Sequence, residues 1–108
     1  MSEVKKSVRL NSIVQSDGFL KAQLETIDRP SPRADEVVIE VQATPINPSD
    51  LGAFFAGADL SKAKTSGTKE MPILTAPIND TALRASKQRL DIPVPVGNEG
   101  AGVVVATG

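Results

Sequence analysis

Glu36-Val37-Val38-Ile39-Glu40-Val41-Gln42-Ala43-Thr44-Pro45-Ile46-Asn47-Pro48-Ser49-Asp50 runs from the strongest strand signal in the chain straight into a helix start. Residues 36–44 are dense in β-branched side chains, which suit a pleated backbone. Alternation sets Val37, Ile39, Val41 and Ala43 on one face, opposite Val38, Glu40 and Gln42. Asn47 then offers an N-cap. Pro48 fits the first helical position, where its missing N–H has no partner to lose, and Asp50 places a carboxylate at the positive helix end. The helix is short and stops near Gly57.

Upstream, Leu20, Ala22 and Leu24 share one face of a half-buried strand that follows Gly18. Val8, Leu10 and Ile13-Val14 mark a strand before it, and Ser16-Asp17-Gly18 supplies turn chemistry, so residues 7–26 read as a hairpin. Arg29-Pro30-Ser31-Pro32-Arg33 reads as a loop, because neither proline donates a backbone hydrogen bond.

Downstream, residues 58–77 show neither helical nor strand periodicity and read as a long surface loop, the most mobile part of the chain. Asp80 is placed to cap a second helix, Thr81 to Leu90, with Leu83 and Leu90 on one face. The chain then reaches a glycine-rich bend, Gly97-Asn98-Glu99-Gly100-Ala101-Gly102, that feeds a buried strand through Val103-Val104-Val105, and a return strand is expected after it.

Composition limits what this chain does. At 108 residues it is long enough for one domain. With 40% apolar but only 3% aromatic residues, the core is aliphatic, and Phe19, Phe54 and Phe55 are its only rings. Twelve basic against thirteen acidic residues leave a net charge of -1 without a basic stripe, which argues against nucleic acid as a partner. The first ten residues carry Glu3, Lys5, Lys6 and Arg9 where a signal peptide would be apolar, and no stretch approaches the ~20 apolar residues of a membrane span. The expectation is a soluble, cytoplasmic protein that does not engage membranes. Cys and His are both absent, which removes disulfides, thiol nucleophiles, imidazole bases and the usual zinc ligands.

Gly97, Gly100 and Gly102 precede a strand, whereas a phosphate-holding glycine loop follows a strand and opens a helix. Their plain reading is that small residues let the backbone bend and a neighbouring segment approach closely. The strings Asn47-Pro48-Ser49-Asp50 and Gly97-Asn98-Glu99-Gly100-Ala101-Gly102-Val103-Val104, with Pro32-Arg33-Ala34-Asp35-Glu36-Val37-Val38-Ile39 upstream, carry more information in their order and spacing. Together they resemble the medium-chain dehydrogenase and reductase superfamily. In the zinc enzymes of that superfamily a Cys and a His stand where this chain has Asn47 and Asn98. Carboxamides are poor zinc ligands, so the resemblance is to the zinc-independent, quinone oxidoreductase type, with no metal site.

That resemblance implies a mainly β fold: a GroES-like, partly closed β-barrel with two short helices, of which residues 1–108 are the N-terminal, substrate-side part. The Rossmann nucleotide-binding domain would lie in the remainder of the polypeptide. The implied reaction is hydride transfer from NADPH or NADH, held mainly by that other domain, to a small-molecule acceptor such as a quinone or an activated carbon-carbon double bond. The parent is expected to be a homo-oligomer, and this portion alone to be inactive.

Asn47 matches the family asparagine that lines the cleft near the nicotinamide, where its amide can donate to a developing oxyanion; the same residue is also a good N-cap. Asp50 matches the family aspartate, with a catalytic part and a helix-stabilising part both open. Gly52 stands where many quinone reductases carry a tyrosine against the cofactor. Phe54 or Phe55 can supply that ring or pack in the core, with Phe55 the candidate for the substrate cleft. Asn98 and Glu99 are placed at the cleft by the match, and Glu99 can equally serve an internal ion pair. The loop at 58–77 is expected beside the cleft mouth, as a lid or as a plain surface excursion. A free-standing GroES-like structural or partner-binding module without catalysis is the rival reading.

Overall fold

The hairpin expected over residues 7–26 is the centre of the computed structural model, which describes residues 5–108. Strands β1 (Lys6–Val14) and β2 (Phe19–Asp28) pair antiparallel without a break, from Lys6↔Asp28 to Val14↔Leu20. The turn closes where the Gln15 N–H donates to the Phe19 carbonyl at 2.8 Å, and Gly18 sits at φ +90°, a conformation that costs glycine nothing. Cross-strand pairing fixes the faces. Leu10, Ser12 and Val14 share the inner face with Leu24, Ala22 and Leu20, and the core gathers around Val14, Leu20 and Ala22.

The opposite face is polar. Arg9 lies 3.2 Å from the Glu25 carboxylate, and the buried Asn11 amide donates to the same group. These two hydrogen bonds, Asn11's first and Arg9's second, hold the Glu25 carboxyl below its ordinary value.

Residues 58–77 are not the unstructured loop that their composition predicts. After a 3₁₀ turn at Leu60–Lys62, strands β3 (Lys64–Gly67) and β4 (Pro72–Pro77) form a second hairpin, and β4 pairs with β2 from Phe19↔Pro77 to Gln23↔Ile73. The physical reason lies in the main chain. β3 is exposed along its whole length, so it is held by ladder hydrogen bonds alone and its side chains carry no burial period to read. β4 does bury Ala76 against the core, but its six residues are bracketed by two prolines.

Helix α1 (Pro48–Phe55) and helix α2 (Asp80–Ala85) cover the inner face of the sheet. The cap of α2 is Asn79, whose side-chain oxygen accepts from Ala82 N–H at 2.7 Å, one residue before the expected Asp80. The helix also ends earlier than Leu90: the buried Ser86 breaks it and a 3₁₀ turn, Lys87–Arg89, follows. Leu83 and Leu90 nevertheless both pack on the core, as their shared face requires.

The strand predicted at 36–44 forms as β5 (Val37–Ala43) and stands apart from the hairpin strands. It pairs with β7 (Ala101–Thr107) in a separate two-stranded ribbon, while β6 (Val94–Pro95) lies on the outer edge of β1. The larger sheet therefore runs β3-β4-β2-β1-β6. The close approach expected of the bend glycines occurs at Gly102, where a Cβ would collide with the Glu40 carbonyl and lie 2.9 Å from the Val41 Cα. Among the described residues the strands close no barrel, so the observed class is mainly β with two short helices. The even face expected of Val37, Ile39, Val41 and Ala43 is interrupted, because the pairing shifts register between Val38 and Ile39 and between Val41 and Ala43, and Val37, Ile39 and Val41 each stay at least half exposed; Val103-Val104-Val105, expected to be buried, are exposed as well. The radius of gyration, 16.1 Å, exceeds the roughly 13 Å of a compact chain this long, because the ribbon projects from the main sheet. Among the described residues no helix is long and apolar enough to cross a membrane.

Two outcomes follow from this packing. Gly102→Ala should strip hydrogen-exchange protection from β5 and β7 while the β1 and β2 amides keep theirs, since the ribbon is a separate sheet; uniform loss across both sheets would contradict that separation. Because the folded pKa of Glu25 is depressed, its contribution is complete above its ordinary 4.5 and is lost as pH falls through the lower folded value. The urea midpoint should fall with pH below 4.5, and Arg9→Gln should make that fall shallower; identical slopes would remove Glu25 as its source.

Candidate functional site

Helix α1 carries most of the residues that the sequence singles out, and its two ends are fastened differently. At the start, the Asn47 N–H donates to the Asp50 carboxylate at 3.0 Å, the well-formed half of a capping box. The Asn47 side chain makes no cap hydrogen bond of its own, although its backbone is extended as a cap requires. At the end, Ala56 turns left-handed at φ 46° and the buried Ser12 hydroxyl donates to the Phe54 carbonyl at 2.7 Å. That bond pins the last turn to β1. Consecutive helix residues point about 100° apart. Phe54 therefore packs on the core while Phe55 reaches the rim, with ring centroids 4.7 Å apart and planes tilted by 53°.

An apolar hollow of about 220 Å³ lies between this helix and the bend, walled by Thr44, Asp50, Leu51, Phe55, Val96 and Leu10 among others. Asp50 is the one charged side chain lining it. An open polar concavity adjoins it, built from Asn98, Glu99, Gly100 and Ala101, and the two share Thr44 and Pro45. The join is a hydrogen bond: the Thr44 hydroxyl donates to the Glu99 carbonyl at 2.7 Å across 55 positions of sequence.

The structure thus brings Asp50 and Phe55 together in one hollow and Asn98 and Glu99 together in its neighbour. Asn47, half-buried, and Gly52, exposed, line neither, and a Cβ on Gly52 would meet nothing within 4 Å. The ion pair considered for Glu99 does not form: among the described residues the pairs are Lys6–Asp28 and Arg9–Glu25, and Glu99 is exposed. Thr44, Leu10 and Val96 escaped the sequence reading. Thr44 was legible in principle, as the one hydroxyl between the strong strand and the helix cap, whereas Leu10 and Val96 meet only through the β1–β6 pairing, Val96 N–H to Leu10 carbonyl at 3.2 Å.

Among the described residues no three acidic side chains converge as metal ligands would. A dinucleotide's pyrophosphate does not fit here either. Pro48 has no N–H to offer, Asp50 already places a carboxylate at the α1 start, and α2 opens with Asp80, so an anion meets repulsion at both helix ends. No protein-family model matches this chain, and no curated protein matches it.

Ser12 is the anchor on which the position of Phe55 depends. Ser12→Ala leaves the Phe54 carbonyl without its partner and should cost about 1–2 kcal/mol in urea unfolding, with displaced ring resonances for Phe54 and Phe55. An unchanged midpoint would show that the helix end is held by packing alone.

Proposed function

We propose that this chain is the substrate-side, GroES-like portion of a zinc-independent oxidoreductase that passes a hydride from NADPH or NADH to a quinone or enone-like acceptor. The supporting observation is the convergence at Thr44. The segments Asn47–Asp50 and Gly97–Gly102, about fifty positions apart, end in adjoining hollows joined by the Thr44–Glu99 hydrogen bond. A structural module has no need of that convergence. The half-exposed valines on both strands of the ribbon also suit one wall of a barrel completed elsewhere in the polypeptide.

A reduced nicotinamide, bound by a Rossmann domain, supplies the hydride in this reading. The residues here do the rest. The apolar hollow takes the body of the acceptor and excludes water from it. The Asn47 side-chain NH2, which stands outside both hollows between the lining residues Ile46 and Asp50, would turn toward the acceptor to donate to the oxygen on which negative charge develops. Asp50 stays committed to the Asn47 N–H and holds the helix start in place.

The test is NADPH-dependent reduction of 1,4-benzoquinone by the full-length enzyme, and no hydride transfer to any quinone or enone would sink the reading. Within an active enzyme, Asn47→Ser separates the two roles of that residue, because serine caps a helix as well as asparagine but lacks the amide. Melting should be unchanged while kcat/KM falls at least about tenfold, or ~1.4 kcal/mol. Equal activity would take the Asn47 amide out of the reaction.

A further inference from the structure

The inner face of the β1–β2 sheet continues past helix α1 and stays uncovered there. Leu10 and Leu24, paired across the strands, form its floor, with Leu74 of β4 and the exposed Thr65 of β3 along one side. This second hollow measures about 300 Å³ and is walled on its other side by Phe54 and Phe55. It shares Leu10, Phe54 and Phe55 with the 220 Å³ hollow beside Asp50. Leu10 is 39% exposed, so the two meet over an accessible apolar saddle and not across a buried wall.

Three depressions therefore follow one another across the molecule. The first is polar, at Asn98 and Glu99; the second is apolar with one carboxylate at its margin; the third has Thr65 as the polar residue lining it on the inner face, with Gln23 the other polar lining residue. From this gradient we infer that the site takes an amphipathic acceptor, whose carbonyl-bearing head lies by Thr44 and Asn98 and whose hydrocarbon tail runs over Leu10 into the hollow beneath Phe55. The inference rests on the proposed reading for the identity of the head, but the tail groove stands on its own geometry. A prenyl and an acyl tail share the chemistry that the groove recognises, a flexible apolar chain without charge. An acidic tail is excluded because none of the groove's lining side chains is cationic.

The experiment titrates this chain, labelled with ¹⁵N, with 2-alkyl-1,4-benzoquinones bearing tails of about two, six and ten carbons, where each buried methylene should tighten binding. N-alkyl-2-pyrrolidinones with the same tails form a parallel series whose head cannot accept a hydride. Kd should fall at least about threefold for every two carbons added in both series, with amide shifts at Leu10, Leu24 and Ile73 for the longer tails. Thr65→Trp, on an exposed strand position, should fill the far end of the groove: the gain from the six- to the ten-carbon tail disappears and the two-carbon Kd is unchanged. A Kd independent of tail length, shifts centred on the β5–β7 ribbon, or an undiminished gain in Thr65→Trp would each overturn the inference. Tail dependence in both series supports the groove even if the full-length enzyme reduces no quinone, in which case the oxidoreductase reading alone falls.

Discussion

Register in the β1–β2 hairpin is the constraint on which the other elements depend. Four consecutive β1 residues, Asn11 to Val14, are buried, which a strand achieves only when both of its faces are covered. Slipping β2 by one residue against β1 would turn Leu20 and Ala22 away from the helices and bring Lys21 inward. The turn at Gly18 prevents that slip locally, and the Arg9–Glu25–Asn11 cluster opposes it from the outer face. Once the register is set, β2 offers its free edge to β4, β1 offers its own to β6, and Ser12 presents its hydroxyl to the end of α1. The hollows beside that helix are then by-products of where it stops.

Much of this was legible because the hairpin writes its burial into its side chains. Leu20, Ala22 and Leu24 alternate with polar residues, and the turn chemistry stands between two such runs. The Asn47-Pro48-Ser49-Asp50 start was legible for a different reason: capping is local, set by four residues and indifferent to what the helix later packs against. The β3–β4 hairpin was not legible. Its stability comes from main-chain pairing to an edge that the sequence of residues 58–77 does not encode, and Lys64–Gly67 bury nothing. Period also fails to report depth. Alternation predicts an even buried face at Val37, Ile39 and Val41, yet register shifts in the β5–β7 pairing interrupt it and each of the three stays at least half exposed.

The candidate site divides along the same line. Asp50, Phe55, Asn98 and Glu99 were singled out from their motifs, but what places the two pairs side by side is a hydrogen bond from Thr44 and a pairing between Leu10 and Val96. Those contacts join residues 55 and 86 positions apart in sequence, and no local pattern announces them. The bend glycines show the converse. Gly102 is required because Glu40 and Val41 press against it, a packing reason that has nothing to do with phosphate.

The charge at the site also narrows what it can hold. Asp50 serves the helix by placing negative charge at its positive end and by accepting from the Asn47 N–H. That commitment leaves the apolar hollow with a fixed negative group at its margin, and Glu99 adds a second beside the neighbouring concavity. An anionic ligand entering there would pay to shed its water and would then meet two carboxylates with no lining cation to offset them. A neutral ligand loses nothing by the same arrangement and gains the aromatic and aliphatic contact of Phe55, Leu51 and Val96. If the hollow is read as an acceptor site, the helix cap, chosen for backbone reasons, would act as a filter on ligand charge. Selectivity and folding would then draw on the same carboxylate, so a variant that removes it would change both at once.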